Sequence, residues 1–328
     1  MALFKVAIIV VIVVFISRLD LINAATMARI FSHPIAAAIA VAAVVAAIHG
    51  GVLRWYLLLT IQGQSIPLRR VWIITFTSSF IGASTLGTAG ADALRLYYVG
   101  RENPGSTGQA YLSIAVDRLV GLAGLVMVGA FLFAMNFAEI VHHPEMRGLI
   151  LLSAAMGAGI ILVAALVAGF DRFVSPSVRH LRVMHRIATH ARLLVNYYSN
   201  ALPLVGLCLL LSIVVHVLML FSLVILTRAL FADSLSASQL GLAGVMATLA
   251  NQIPITPNGL GLGEGTFAYL CHLMDPSTVT ADYGSVIFLQ RLVALIATVP
   301  GLFSYMAYRA AAGAGGGMVV DEETAGTG

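Results

Sequence analysis

The sequence predicts an all-α integral membrane protein with about six full spans and two opposed re-entrant hairpins in an inverted repeat. Three observations carry that expectation. Hydrophobic residues make up 60% of the chain, charged residues only 10%, and the mean hydropathy is +0.98. A soluble domain carries roughly 25% charged residues, so a soluble fold would lack polar surface. Two glycine-rich stretches, one also broken by prolines, interrupt apolar segments. An order of residues running from an acid to a later arginine occurs twice.

Met1 to Ile16 is apolar apart from Lys5, and Arg18 follows. A signal peptide shares that basic start and short apolar core. The crossings demanded by the rest of the chain favour an uncleaved first span. Ile35 to Leu59 is the second span and closes on Arg54-Trp55-Tyr56, the make-up of an interface anchor. Val71 to Tyr98 begins apolar and turns small and hydroxylated between Ser78 and Asp92, which predicts a first re-entrant region over 71–98. Asp92 and Arg95 are three apart and share a face if helical. Ala110 to Phe137 is a span with Asp117-Arg118 near its start, and Gly148 to Phe170 is another.

A polar break follows. Within it Arg179, Arg182, Arg186 and His190 recur every three or four residues, predicting a basic surface helix over 177–200. It either rests on anionic headgroups or is simply solvated. Leu202 to Leu230 spans again, a second re-entrant region covers 240–273, and Ser285 to Tyr308 is the last span. The membrane domain so drawn runs over residues 1–309. The Gly/Ala-rich tail, 310–328, is expected to be disordered.

The second break runs from Asn251 to Gly265 and holds Pro254, Pro257 and four alternating glycines. Each proline removes a backbone donor and each glycine raises the entropic cost of a helix. Broken backbone is tolerated in hydrocarbon only where protein or a wet cavity surrounds it. The stretch therefore reads as a hairpin tip with Glu264 facing an interior site. An extramembrane loop between two spans is the alternative.

Charge placement fixes the expected topology. Arg69-Arg70 and the break from Arg172 to Arg192 should both be cytoplasmic. Three ordinary spans between them would put them on opposite sides. The conflict disappears if 71–98 enters and leaves on the same side. The second hairpin then has its ends outside, near Asp275 and Asp282, and the two hairpins enter from opposite faces. Both termini are expected to be cytoplasmic, in the plasma (inner) membrane.

The repeat agrees. Asp92 is followed 26 residues later by Arg118-Leu119-Val120-Gly121-Leu122, and Glu264 is followed 27 residues later by Arg291-Leu292-Val293-Ala294-Leu295. Inverted repeats with broken helices meeting near the midplane are a transporter architecture. Helix starts at such tips offer free N–H groups and a positive dipole end to a phosphate.

Arg54-Trp55, Gly90-Ala91-Asp92 with Arg95, Asp117-Arg118-Leu119, and the run Ile253 to Gly261 with Glu264 resemble the lysylphosphatidylglycerol synthase transmembrane family, also called flippase-like membrane proteins. The resemblance extends to about Tyr308. It implies an embedded fold with re-entrant segments that handles a polar-headed lipid, whether a phospholipid such as aminoacylated phosphatidylglycerol, a hopanoid precursor or a polyprenol-linked sugar. The sequence departs from the family at Leu86-Gly87, where Pro-Gly is usual, and at Ala91, where a second glycine is usual. The soluble aminoacyltransferase domain of fused members is not expected here.

The expected substrate-binding residues are Asp92, Arg95, Asp117, Arg118, Asn258, Gly259, Glu264 and Arg291. Intramembrane charges default to function, and the arginine fork suits phosphate oxygens. Each acid also has a structural use, capping a half-helix or pairing with an arginine. Asn251, Gln252, Thr256 and Asn258 supply hydrogen bonds, chiefly to freed backbone. His49, His216 and His272 read as packing, and His142-His143 diverge on a helix. Cys208 and Cys271 suggest neither a disulfide nor a zinc site. No cofactor, metal or nucleic-acid partner is expected, nor a dinucleotide site, since the glycines do not spell the fingerprint.

Three functional classes follow. The first is a lipid flippase or transporter. The second is an integral-membrane lipid-modifying transferase with Glu264 or Asp92 as general base. The third is a non-catalytic subunit partnering a separately encoded lipid-modifying enzyme. An enzyme is not expected, because no metal triad, nucleotide loop or nucleophile–base set is recognised.

Overall fold

A computed structural model describes residues 23–84, 87–102, 107–142, 147–168, 192–231, 235–253, 256, 259–278, 281–304 and 306. The expected first span, most of the basic segment 177–200 and the tail 310–328 lie outside the described residues. Among those described, the chain is helical throughout and has no strand.

The principal helices are α1 (Pro34–Ile61), α2 (Leu68–Ser84), α3 (Gly87–Glu102), α4 (Thr107–Met135), α5 (Arg147–Ala168), α6 (Leu202–Leu230), α7 (Ala237–Ala250), α8 (Leu262–Met274) and α9 (Gly284–Ala297). Segments Pro34–Ile61, Tyr111–Met135, Leu202–Leu230 and Gly284–Ser304 are long and apolar enough to cross a membrane. Helix α5 covers the expected span 148–170 as far as Ala168, the last described residue there.

Local chemistry sets the ends. Pro34 opens α1 and Pro203 sits in the first turn of α6, where a missing N–H costs no intrahelical bond. Ser236 accepts from the Gln239 N–H while the Gln239 side chain accepts from the Ser236 N–H, a reciprocal cap starting α7. Helix α9 gives way to a turn at Thr298–Val299, just before Pro300, and the chain is helical again over 300–304. A proline disfavours helix at the residue before it.

Helix α6 packs on α1 and α4, and small residues bring the backbones close. A Cβ at Gly124 would lie 2.5 Å from Ser212 Cβ, and one at Gly50 would lie 2.9 Å from a Val215 methyl. Close approach through small residues is the usual packing mode of helices in lipid. Helices α2 and α3 pack together as one hairpin, α7 and α8 as another. Trp55, Val71, Phe76, Val99 and Ile114 form a core at the first hairpin. Leu226, Val245, Phe267, Leu270 and Val286 belong to a larger core at the second. Helix α9 reaches both: beyond its end, the Gly301 carbonyl accepts from Thr77 Oγ1 on α2 at 3.3 Å. On α6, Leu207, Leu210, Val214, Val217 and Phe221 are exposed, a face suited to lipid chains.

Candidate functional site: two arginine–carboxylate clusters

The first cluster joins α1, α3, α4 and α6. Adjacent residues on a helix point about 100° apart, so Asp117 and Arg118 serve different neighbours. Asp117 faces α1 and α3. Its Oδ1 accepts from Arg54 Nε at 2.7 Å and its Oδ2 from Arg95 Nη1 at 3.4 Å. Its side chain is 5% exposed, and that of Arg54 is 11%. Arg118 turns to α3, where Nε and Nη2 donate to the two oxygens of Asp92 at 2.8 and 2.7 Å. This is the two-pronged pairing that guanidinium geometry favours. Its side chain stays 45% exposed.

Further contacts bind the cluster to the frame. Arg54 Nη1 donates to Ser212 Oγ at 2.6 Å. Arg95 lies over the Trp55 ring with its guanidinium carbon 4.9 Å from the centroid, a cation–π contact. Its Nε is buried and has no hydrogen-bond partner among the described residues. Gly121 leaves room for Arg54: a Cβ there would sit 3.4 Å from Nη1. Among the described residues, three guanidiniums thus meet two carboxylates, an excess of one positive charge.

The second cluster joins α7, α8 and α9. Glu264, fully buried, accepts from Arg291 Nε at 2.8 Å and from the Gly261 N–H at 2.9 Å. The carboxylate thus caps the start of α8 and pairs with the next helix, as the helix dipole favours. Asn251, at the end of α7, accepts through Oδ1 from the Gly263 N–H at 3.0 Å and from Arg291 Nη2 at 3.2 Å. Arg291 Nη2 also reaches the Gly259 carbonyl at 3.3 Å. The glycines are used. Gly259 and Gly261 have φ of +67° and +88°, a region where only glycine is unstrained. A Cβ at Gly263 would fall 2.4 Å from Asn251 Nδ2. Among the described residues, one guanidinium meets one carboxylate here.

The hydrogen bonds gather the sequence-chosen residues into two groups, Asp92, Arg95, Asp117 and Arg118 in one and Gly259, Glu264 and Arg291 in the other. Asn258 lies outside the described residues. The repeat shows in the contacts: Asp92 binds Arg118 and Glu264 binds Arg291. The reading of Arg54-Trp55 as an interface anchor is corrected. Trp55 is wholly buried, donating to Ser113 Oγ, and Arg54 is paired inside the bundle. The missed signal was a cation well inside an apolar span, which needs an interior partner. Ser212 gave no signal at all. His49 accepts from Trp72 Nε1 at 3.0 Å and His216 contacts the Gly121 carbonyl at 2.9 Å, both packing roles.

Near the first cluster, amides and phenols link the helical residues 192–199 to α1 and α4. The Gln62 amide, turned so that both ends are satisfied, accepts from Tyr198 Oη and donates to the Gln109 carbonyl, each at 2.8 Å. Gln109 Nε2 donates to Tyr197 Oη at 3.2 Å. Burial raises the Tyr198 phenol above its ordinary range, so it remains a donor at neutral pH.

The chain matches the family model for the lysylphosphatidylglycerol synthase TM region over residues 2–301. No curated protein and no solved structure matches it. The match runs through both clusters and the helices that carry them. The chain therefore belongs to the lysylphosphatidylglycerol synthase TM region family and is an integral membrane protein linked to lipid synthesis or handling.

Proposed function

We propose that this protein is a lipid flippase or transporter that moves a lipid with an anionic or glycosylated headgroup across the plasma (inner) membrane. The observation that carries the reading is the positive excess of the first cluster, with three guanidiniums against two carboxylates and the Arg118 fork half exposed. A headgroup phosphate supplies the missing negative charge. It shares the Arg118 fork with Asp92, while the buried Asp117 pairs keep the frame in place. The neutral second cluster locks its own hairpin.

In this reading the membrane domain covers residues 1–309 and has about six full spans. The α2–α3 and α7–α8 hairpins are re-entrant and enter from opposite faces. The matching Asp92–Arg118 and Glu264–Arg291 pairs support an inverted repeat whose halves rock about the site. The basic residues Arg69, Arg70 and Arg101 mark the cytoplasmic side, with both termini there. No bond-making step is assigned to either cluster. Phospholipids, hopanoid precursors and polyprenol-linked lipids all carry suitable headgroups.

Native mass spectrometry of the mildly solubilised full chain tests this. The expected result is one discrete anionic or glycosylated lipid on the wild type, lost from Arg118→Met. Bulk phospholipid in unselective amounts, with a protein partner retained instead, would move the assignment to an accessory subunit.

A further inference from the structure

We infer that the groove between the start of α1 and the end of α6 is a second lipid site, one that holds an anionic phospholipid by its phosphate. It stands apart from both clusters and does not rest on the transport reading. The groove encloses about 460 Å³ and is lined by Ser32, His33, Pro34, Ile35, Ile225 and Arg228 among others. Its walls are apolar, and Ile35 is 76% exposed. The cation at its mouth is Arg228, in the last turn of α6. Among the described residues, no hydrogen bond or ion pair engages the Arg228 guanidinium.

A cation near a helix C-terminus also offsets the helix dipole. That role needs charge alone and leaves every guanidinium N–H open to a ligand. On the other wall, α1 begins with no side chain capping it, so its leading N–H groups and positive dipole end add to the same potential. Arg228 outweighs the partial negative charge of its own helix end, so with the start of α1 the mouth is net positive and favours an anionic occupant.

Helix length sets the depth. Helices of 28 and 29 residues run about 42 and 44 Å, against about 30 Å of hydrocarbon. Their ends therefore stand in the headgroup layer. Arg228 lies at phosphate level, while Ile225 and Ile39, about 4.5 and 7.5 Å in from Arg228 and Pro34 along their own helices, meet the first methylenes of an acyl chain. A phosphate over an apolar slot is the chemistry of a phospholipid, and the positive mouth selects phosphatidylglycerol over a zwitterionic lipid.

The test titrates the purified full chain in mild detergent with dioleoyl-phosphatidylglycerol or dioleoyl-phosphatidylcholine and counts retained lipids by native mass spectrometry. Arg228→Gln should retain one fewer phosphatidylglycerol per chain than the wild type. Ile39→Trp, which fills the slot without changing charge, should show the same loss, and phosphatidylcholine should be unaffected by either. Arg118→Met should keep this lipid while losing any held at the first cluster, so the two assignments fail separately. Equal phosphatidylglycerol retention by the wild type and Arg228→Gln, or equal retention of phosphatidylcholine at the same site, would overturn the inference. Either result would hand the groove to another occupant, such as a second copy of the chain.

Discussion

Asp117 accepts from arginines on two different helices and is almost wholly buried, so neutralising it strands Arg54 and Arg95 together. Breaking a buried pair from one side costs about 3–5 kcal/mol. We predict that Asp117→Asn lowers thermal stability by about that much in a detergent unfolding assay. Arg118→Met removes a half-exposed partner and should cost about 1 kcal/mol or less, while abolishing lipid retention at the first cluster. Equal stability losses in the two variants would mean that Arg118 is also a structural post. For the second cluster a double-mutant cycle separates the roles. Glu264→Gln alone strands Arg291, whereas Glu264→Gln with Arg291→Met should recover most of the stability without recovering lipid movement. Recovery of both would leave the pair with no part in transport. The pairs Asp92–Arg118 and Glu264–Arg291 were legible in the sequence because an acid and an arginine recur there at nearly equal spacing. The Arg54–Asp117 pair was not, since its members lie 63 residues apart and only helix packing brings them together. Ser212 is further still from Arg54, at 158 residues, and a serine in an apolar span carries no mark of its partner.

At the scale of elements, glycine placement decides whether the second hairpin closes. A methyl at Gly263 overlaps the Asn251 amide, whereas Gly265, one turn into α8, has open space around its Cβ position. Gly263→Ala should therefore open the tip and speed amide hydrogen exchange over 251–265. Gly265→Ala should leave exchange unchanged or slow it, because alanine favours helix by about 1 kcal/mol over glycine. Similar exchange in both variants would contradict the close packing of Asn251 against the tip. The sequence put the break over 251–265; the structure ends α7 at Ala250 but starts α8 at Leu262, so the last four residues of that stretch are already helical. Region 71–98 holds two packed helices, with α2 already starting at Leu68 and α3 continuing to Glu102. Those extensions carry Arg69, Arg70, Arg101 and Glu102, charged ends that hydropathy does not mark. The turn at Thr298–Val299 was also missed, although Pro300 beside it is the expected cause.

For the whole molecule, the distribution of charge is the organising fact. The chain is long on apolar surface and short on charge, and it places its intramembrane charges in two clusters built on one plan. One is neutral and reinforced by Asn251 and backbone, and so suited to holding a hairpin. The other, among the described residues, has one more cation than acid and a half-exposed Arg118, and so is suited to an anionic headgroup. Helix α9 packs on α8, and the segment just beyond it reaches α2 through Gly301, so one stretch of chain touches both hairpins. The membrane setting and the doubled plan were legible from composition and spacing. The charge imbalance was not, because it depends on Arg54 joining the cluster.

The most direct measurement is leaflet exchange of acyl-chain-labelled nitrobenzoxadiazole-phosphatidylglycerol in vesicles bearing the purified full chain, with dithionite added outside. Wild-type vesicles should lose inner-leaflet label as well as outer, while protein-free and Arg118→Met vesicles lose only the outer-leaflet share. Labelled phosphatidylcholine should stay protected in all three. Wild-type vesicles that behave like protein-free ones, or an Arg118→Met variant as active as the wild type, would contradict lipid movement through the first cluster.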